Sequence, residues 1–199
     1  FPDHVAWDNI MLHESTRSLA KNLDAICFGS MAQRSAQSRE VIQSFLQSVP
    51  KETLKVFDLN IRQQFYTENT ITTSLEIADV LKINDEELVL LAAMYGLQGN
   101  DNTILEYLIK ICNLQLAVLT RGGAGSLLVT PTECSDHDGF SAEVVDTIGA
   151  GDSFTAATVL GLLKGLPLDS INEHANRVAA FVCSQKGAMP ELPKSLLFF

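Results

Sequence analysis

Short apolar runs alternating with helix-length amphipathic stretches constrain this chain more than any other feature. The runs fall at residues 24–29, 55–60, 80–84, 116–120 and 126–130, and the first four close on Gly29, Asn60, Asn84 and Thr120. Runs this short, punctuated by polar and Gly residues, read as buried strands. The intervening patterns are helical. Ser38 can cap a helix to Ser48, with Val41, Ile42, Phe45 and Leu46 on one face, and Pro50 stops it. A second pattern covers 72–78, and Asp85-Glu86-Glu87 opens another helix with acids at its positive end. Beyond the loop 96–99, Asn102 or Thr103 caps a helix reaching Cys112. Such alternation predicts an α/β fold: a three-layer α/β/α arrangement around a mostly parallel sheet. Ligands then bind outside the C-terminal strand ends. The clusters Asp58/Asn60/Arg62, Asn84/Glu87, Thr120/Gly122 and Gly149/Asp152 all fall there.

The last of these clusters is the most distinctive. Residues 144–156 read as an extended segment ending at Asp146, a glycine turn at Gly149-Ala150-Gly151, and a helix starting near Asp152 and running over 153–164. The amides of Gly149 to Asp152 would be left unpaired at the helix N-terminus, where they bind anions. Glycines there let the backbone approach a ligand closely. Asp152 stands at the mouth, and a carboxylate beside an anion site suits a group accepting a proton from a nucleophile attacking that anion. Local physics leaves a second reading open, because Asp and Ser are ordinary N-caps and Gly an ordinary turn residue. Before this motif, residues 131–140 suggest a surface hairpin. After it, a helix from Ser170 turns Ala175, Val178, Ala179 and Val182 inward and ends at Gly187.

A chain of 199 residues fits one domain, 1–199. The net charge of −10 argues against nucleic acid or an anionic membrane as the main partner. Cys27, Cys112, Cys134 and Cys183 lack metal or disulfide spacing and read as buried thiols of a reducing, cytoplasmic compartment. His4, His13, His137 and His174 have no partner spacing and are assigned no chemistry. No apolar run has the length of a membrane span. The first residue is Phe, with nothing like a signal peptide after it, so the chain is expected to begin mid-protein.

Asp146-Thr147-Ile148-Gly149-Ala150-Gly151-Asp152-Ser153-Phe154 closely resembles the C-terminal signature of the ribokinase-like (PfkB) carbohydrate kinases. Other segments match the same family in its order. Asp58-Leu59-Asn60-Ile61-Arg62 resembles its Asp-x-Asn-x-Arg segment, which implies Arg62 over the transferred phosphoryl group or the substrate. Asn84-Asp85-Glu86-Glu87 resembles its Asn-x-x-Glu motif, implying that Asn84 and Glu87 position hydrated Mg²⁺ through water. Thr120-Arg121-Gly122-Gly123-Ala124-Gly125 resembles its nucleotide-lining turn, in which Thr120, Gly122 and Gly125 would line ATP. The resemblance sets Asn176 against the adenine and matches Gly187-Ala188 to a terminal Gly-Ala. It also aligns Asp146 and Ile148 with a K⁺ site of cation-dependent members. Each residue taken alone has a plainer reading as a cap, a solvated charge or a backbone-bonded amide.

The resemblance implies in-line transfer of the ATP γ-phosphoryl group to a sugar hydroxyl, with Asp152 orienting that hydroxyl. The strings 27–35 and 57–63 are most similar to bacterial fructokinase-like members, which implies fructose becoming fructose 6-phosphate; ribose, another sugar or a nucleoside stays open. No G-x-x-x-x-G-K-[ST] occurs, and Gly149-Ala150-Gly151 lacks the third glycine of a dinucleotide fingerprint. The family's N-terminal first strands, lid and sugar-gripping residues are absent from this chain. In the full-length protein the lid would be the route to a homodimer. Without that segment, the alternative is a non-catalytic nucleotide-binding or structural remnant.

Overall fold

The computed structural model describes residues 5–63 and 65–197; His4 lies outside them. Its centre is a six-stranded sheet in which spatial order follows chain order. The strands are β1 (Ala25–Gly29), β2 (Leu54–Asp58), β3 (Val80–Asn84), β4 (Leu116–Thr120), β5 (Ser126–Val129) and β6 (Cys134–His137). The first four pair in parallel, while β5 and β6 return antiparallel. The expected hairpin at 131–140 thus contributes an edge strand.

Helices α1 (Glu14–Ala20), α2 (Ala36–Ser48), α3 (Glu68–Leu75), α4 (Asp85–Tyr95) and α5 (Asp101–Cys112) come before β4. Helices α6 (Ala150–Leu163) and α7 (Leu168–Cys183) follow β6. Period-two alternation sorts the strand side chains between two cores. Phe57, Leu81, Ile83, Ala117 and Leu119 pack with Ile71, Leu75, Leu91, Leu105 and Leu108 of α3, α4 and α5. Val56, Val80, Leu116, Val118 and Leu128 pack with Phe154, Ala157, Ile171, Ala175 and Val178 of α6 and α7. The three-layer architecture expected from the sequence is therefore present. Crossovers repeated in one direction along a sheet lay their helices on one face. The other face is closed by the pair α6 and α7.

Several boundaries differ from the sequence reading. Ser35, not Ser38, caps α2, its side chain accepting the Ser38 N–H, and the Ser38 hydroxyl instead accepts the Ile10 N–H. Helix α3 starts at Glu68 behind the Thr67 cap and stops at Leu75, short of the expected Ala78. Asn100, rather than Asn102 or Thr103, caps α5, and α7 begins directly after Pro167 rather than at Ser170. Helix α7 ends at Cys183, ahead of Gly187. The segment leading to Asp146 forms no sheet ladder. It is held by the Val145 and Asp146 amides, which both donate to the Cys183 carbonyl. The thiols also need correction: Cys27 and Cys134 are exposed, because β1 and β6 are the two edge strands, and all four cysteines are free. No helix among the described residues is long and apolar enough to cross a membrane.

Leu105 is fully buried between α5 and the sheet. Leu105→Ala should cost about 2–5 kcal/mol, read as a lower urea midpoint at unchanged m-value.

Candidate active site

The α6 helix starts two residues earlier than its sequence suggested, and the reason is Gly149. This residue is the N-cap in a left-handed conformation at φ 84°. A Cβ placed on it would stand 2.4 Å from the Ala188 carbonyl oxygen. Only glycine meets both demands. The Gly187-Ala188 segment is fastened there by Asp146, whose Oδ2 accepts the Gly187 N–H at 3.2 Å while Oδ1 accepts the Ile148 N–H at 3.0 Å. Gly151 and Asp152 then fall in the first turn of α6, where amides have no intrahelical acceptor and the helix dipole is positive. The Ser153 hydroxyl turns back to the Ala150 carbonyl at 2.9 Å and does not cap these amides. Asp152 is exposed beside them.

Beneath this turn lies a charge pair that the sequence reading did not single out. Asp58 and Lys82 are register partners on β2 and β3, on the face covered by α6. The Lys82 ammonium donates to Asp58 Oδ1 at 3.2 Å, and the Thr155 hydroxyl of α6 donates to Asp58 Oδ2 at 2.9 Å. Lys82 Nζ lies 3.2 Å from where a Cβ on Gly151 would be. Burial holds the Asp58 carboxyl above its ordinary pKa, an effect opposed chiefly by Lys82. One signal was available: Lys82 interrupts an otherwise apolar strand, where an unpartnered charge is costly.

Asn84 and Glu87 form a reciprocal capping box. Asn84 Oδ1 accepts the Glu87 N–H at 2.9 Å, and Glu87 Oε2 accepts the Asn84 N–H at 2.9 Å. Glu87 Oε1 accepts the Ile61 N–H at 2.7 Å, so this carboxylate also fixes the loop after β2. That loop turns sharply at Asn60, which has φ 45°. The Glu87 side chain is buried, which raises its pKa against the lowering effect of its amide donors. Each of its oxygens thus accepts one backbone amide. Among the described residues no cluster of three or more His, Cys, Asp or Glu forms a metal site. Arg62 is exposed, its guanidinium donating to the Ile61 carbonyl at 3.0 Å rather than lying on the α6 turn.

Between β4, the 140–147 segment, α6 and α7 opens a cleft of about 470 Å³. Thr120, Gly122, Gly125 and Asn176 all line it, together with Ala150 and Gly151 of the α6 turn. Gly125, at φ 82°, crosses Gly139 so closely that a Cβ would stand 1.9 Å from the His137 carbonyl oxygen. This crossing folds Phe140 onto the cleft wall. Asn176 is buried, its amide nitrogen donating to the Ser126 hydroxyl at 2.7 Å and to the Asn172 carbonyl at 2.9 Å. Asn172, one turn earlier on the same helix, binds Ser135 and accepts the Ser126 hydroxyl. The i, i+4 spacing of two Asn in an apolar helix face was its sequence signal. Asn84, Glu87, Arg62 and Asp152 do not line this cleft.

An open α/β sheet with a free helix N-terminus at its strand ends, opening into a cleft, is an arrangement suited to holding a phosphate group. The model of the pfkB family carbohydrate kinases matches residues 4–195, and the chain belongs to that family. It is 32% identical over 148 residues to a fructokinase of Escherichia coli, covering 69% of this chain and 47% of that one. It is 24% identical over 200 residues to the 5-dehydro-2-deoxygluconokinase of Bacillus anthracis, covering 97% and 60% respectively. A crystal structure of an uncharacterized sugar kinase of Pyrococcus horikoshii in complex with ATP superposes with a TM-score of 0.78 at 27% identity. That match covers 94% of this chain and 60% of the other. The chain thus spans less than two thirds of the length of these relatives.

The raised Asp58 and Glu87 values give a pH dependence of defined sign. A carboxyl with a raised folded-state pKa binds protons more readily when folded. Its contribution to stability is full below the ordinary carboxylate range and is lost as pH rises through the folded value. Glu87→Gln removes the Glu87 share of that slope and leaves one amide without an acceptor, at a cost of about 1–3 kcal/mol. Urea midpoints measured between about pH 4 and 8 should therefore be lower overall and flatter with pH than in the parent. An unchanged slope would refute the assignment.

Proposed function

We propose that this chain, as a single domain over 1–199, is the nucleotide-binding and phosphoryl-transferring part of an ATP-dependent sugar kinase. Fructose, phosphorylated at O6, is its acceptor. The observation carrying this reading is the cleft in which Thr120, Gly122, Gly125 and Asn176 meet the first turn of α6. ATP lies along that cleft with its terminal phosphate toward the amides of Gly149 to Asp152. The Asp152 carboxylate accepts a hydrogen bond from the sugar hydroxyl and takes its proton as that oxygen bonds to the γ-phosphorus. The bond from the γ-phosphorus to the bridging oxygen breaks, and ADP leaves with that oxygen. Asp152 stands at the positive end of α6, and its role is chiefly to orient the hydroxyl. The amides stabilise charge on the transferring oxygens, and Arg62, exposed on the loop after β2, supplies donors to the same group.

Mg²⁺ neutralises charge on the nucleotide phosphates when bound. Glu87 serves it through water, while its direct contacts hold Asn84 and Ile61 in place. A K⁺ ion is proposed on the Asp146 carboxylate and Ile148 carbonyl, oxygen donors suited to a hard cation. The proposed partners are ATP and a small sugar, with the cytoplasm as the compartment, and the net charge of −10 disfavours a nucleic-acid partner.

In the full-length protein, Asp152→Asn should lower sugar-dependent ADP formation on the order of 10²–10⁴-fold while ATP still binds. Unchanged turnover would refute the role. The same assay run over fructose, ribose, 5-dehydro-2-deoxygluconate and a nucleoside tests the acceptor, with fructose expected to give the highest kcat/KM. Turnover should be higher in K⁺ than in Na⁺, and Asp146→Asn should abolish the difference; equal rates in both salts would remove the K⁺ site.

A further inference from the structure

The Asp58–Lys82 pair is expensive where it stands. Two largely buried charges lose hydration, and such an ion pair is often no more stable than apolar residues of the same volume. Its neighbours on this face, Val56, Val80 and Val118, are apolar and pack directly on α6 and α7. Stability alone does not account for a charged pair set among them.

Its geometry does. Asp58 has one oxygen on Lys82 of the neighbouring strand and the other on Thr155 of α6. Thr155 lies one turn after Gly151, and its hydroxyl is also 3.1 Å from the Gly151 carbonyl oxygen. The Lys82 ammonium lies beneath Gly151, 3.2 Å from where a Cβ on that residue would stand, so a side chain there would press on it. Two strands therefore meet the N-terminal end of α6 at two points, at Gly151 in its first turn and at Thr155 in its second. On the far side, Ala188 closes over Gly149. Sheet and helix could slide past one another on apolar contacts alone, because those are not directional. A charge-assisted hydrogen bond from Thr155 to Asp58 fixes the height and rotation of the helix end.

We propose that Asp58, Lys82 and Thr155 form a positioning clamp that fixes the free amides of the α6 turn at the height the terminal phosphate requires. The inference rests on the phosphoryl-transfer reading of that turn. None of the three residues touches substrate in this scheme; they act through Gly151 and Asp152. Displacements of about an ångström at a reacting centre are worth up to ~10²-fold in rate. The clamp should therefore be felt in discrimination between nucleotides as well as in turnover.

Thr155→Val removes the hydroxyl at nearly constant volume, and Thr155→Ser retains it. In the full-length protein, the ratio of dissociation constants for ADP and for a non-hydrolysable β,γ-imido ATP analogue reports the grip on the terminal phosphate without any turnover. Thr155→Val should shift that ratio toward ADP by about tenfold and lower kcat with little change in the sugar KM, whereas Thr155→Ser stays close to the parent in both. A thermal melt on each variant separates this from general destabilisation. The clamp is overturned if Val and parent share the same ratio, if Ser is as impaired as Val, or if the loss follows melting temperature alone. Should the parent phosphorylate no sugar, the proposed function fails, yet the nucleotide ratio still decides the clamp.

Discussion

The left-handed backbone of Gly149, pressed against the Ala188 carbonyl, is the constraint on which the site depends. It lets the chain arrive from Asp146 and enter α6 without a side-chain cap, so the Gly151 and Asp152 amides are not taken by a capping side chain. A conventional Ser or Asp cap would stabilise the helix by about 1 kcal/mol and take up one of those amides. Forgoing that cap is tolerable because other contacts hold the loop. Asp146 ties Ile148 and Gly187 together, and two amides bond the Cys183 carbonyl at the end of α7. The helix end is thus fixed from outside and left open in the middle.

A similar division runs through the rest of the strand-end edge. Glu87 spends both carboxylate oxygens on the backbone of the β2 and β3 loops, and Asn176 spends its amide nitrogen on Ser126 and Asn172. Polar groups that look like ligand contacts in a linear motif are here largely occupied by protein. They shape the walls, while the free donors are backbone amides and the exposed carboxylate is Asp152. A buried polar network of this kind is favourable only when every member is satisfied, which gives the site rigidity at little net cost.

The parallel strands were legible because strands buried on both faces read as continuous apolar runs, and β3 and β4 match their expected limits. The signature at 146–154 was legible as a string. Less visible was α3, whose Thr-rich sequence Glu68–Leu75 has weak intrinsic helix preference and forms through the Thr67 cap and burial of Ile71 and Leu75. The α6 start was misplaced because a positive φ at Gly149 cannot be told from an ordinary turn before the loop closes on Ala188. Cys27 was misjudged because a short apolar run does not reveal whether its strand lies at the edge or the centre, and Cys134 because it sits in the polar stretch 131–140, which forms an edge strand. The clamp was hidden for a different reason: Asp58 and Thr155 are 97 positions apart, and no local pattern connects them.

The serial strand order has a consequence for how the molecule is made. Each parallel strand docks on the one synthesised just before it, and helices α3 to α5 can cover their side of the sheet as they emerge. The opposite side has no local cover. Val56, Val80, Leu116 and Val118 must wait for α6 and α7, which leave the ribosome only after β6. A nascent chain stalled before residue 150 would present a valine-rich sheet face to water, the kind of surface that chaperones bind and that aggregates when they do not. The segment that completes the candidate site is therefore also the segment that covers the valine-rich face of the sheet.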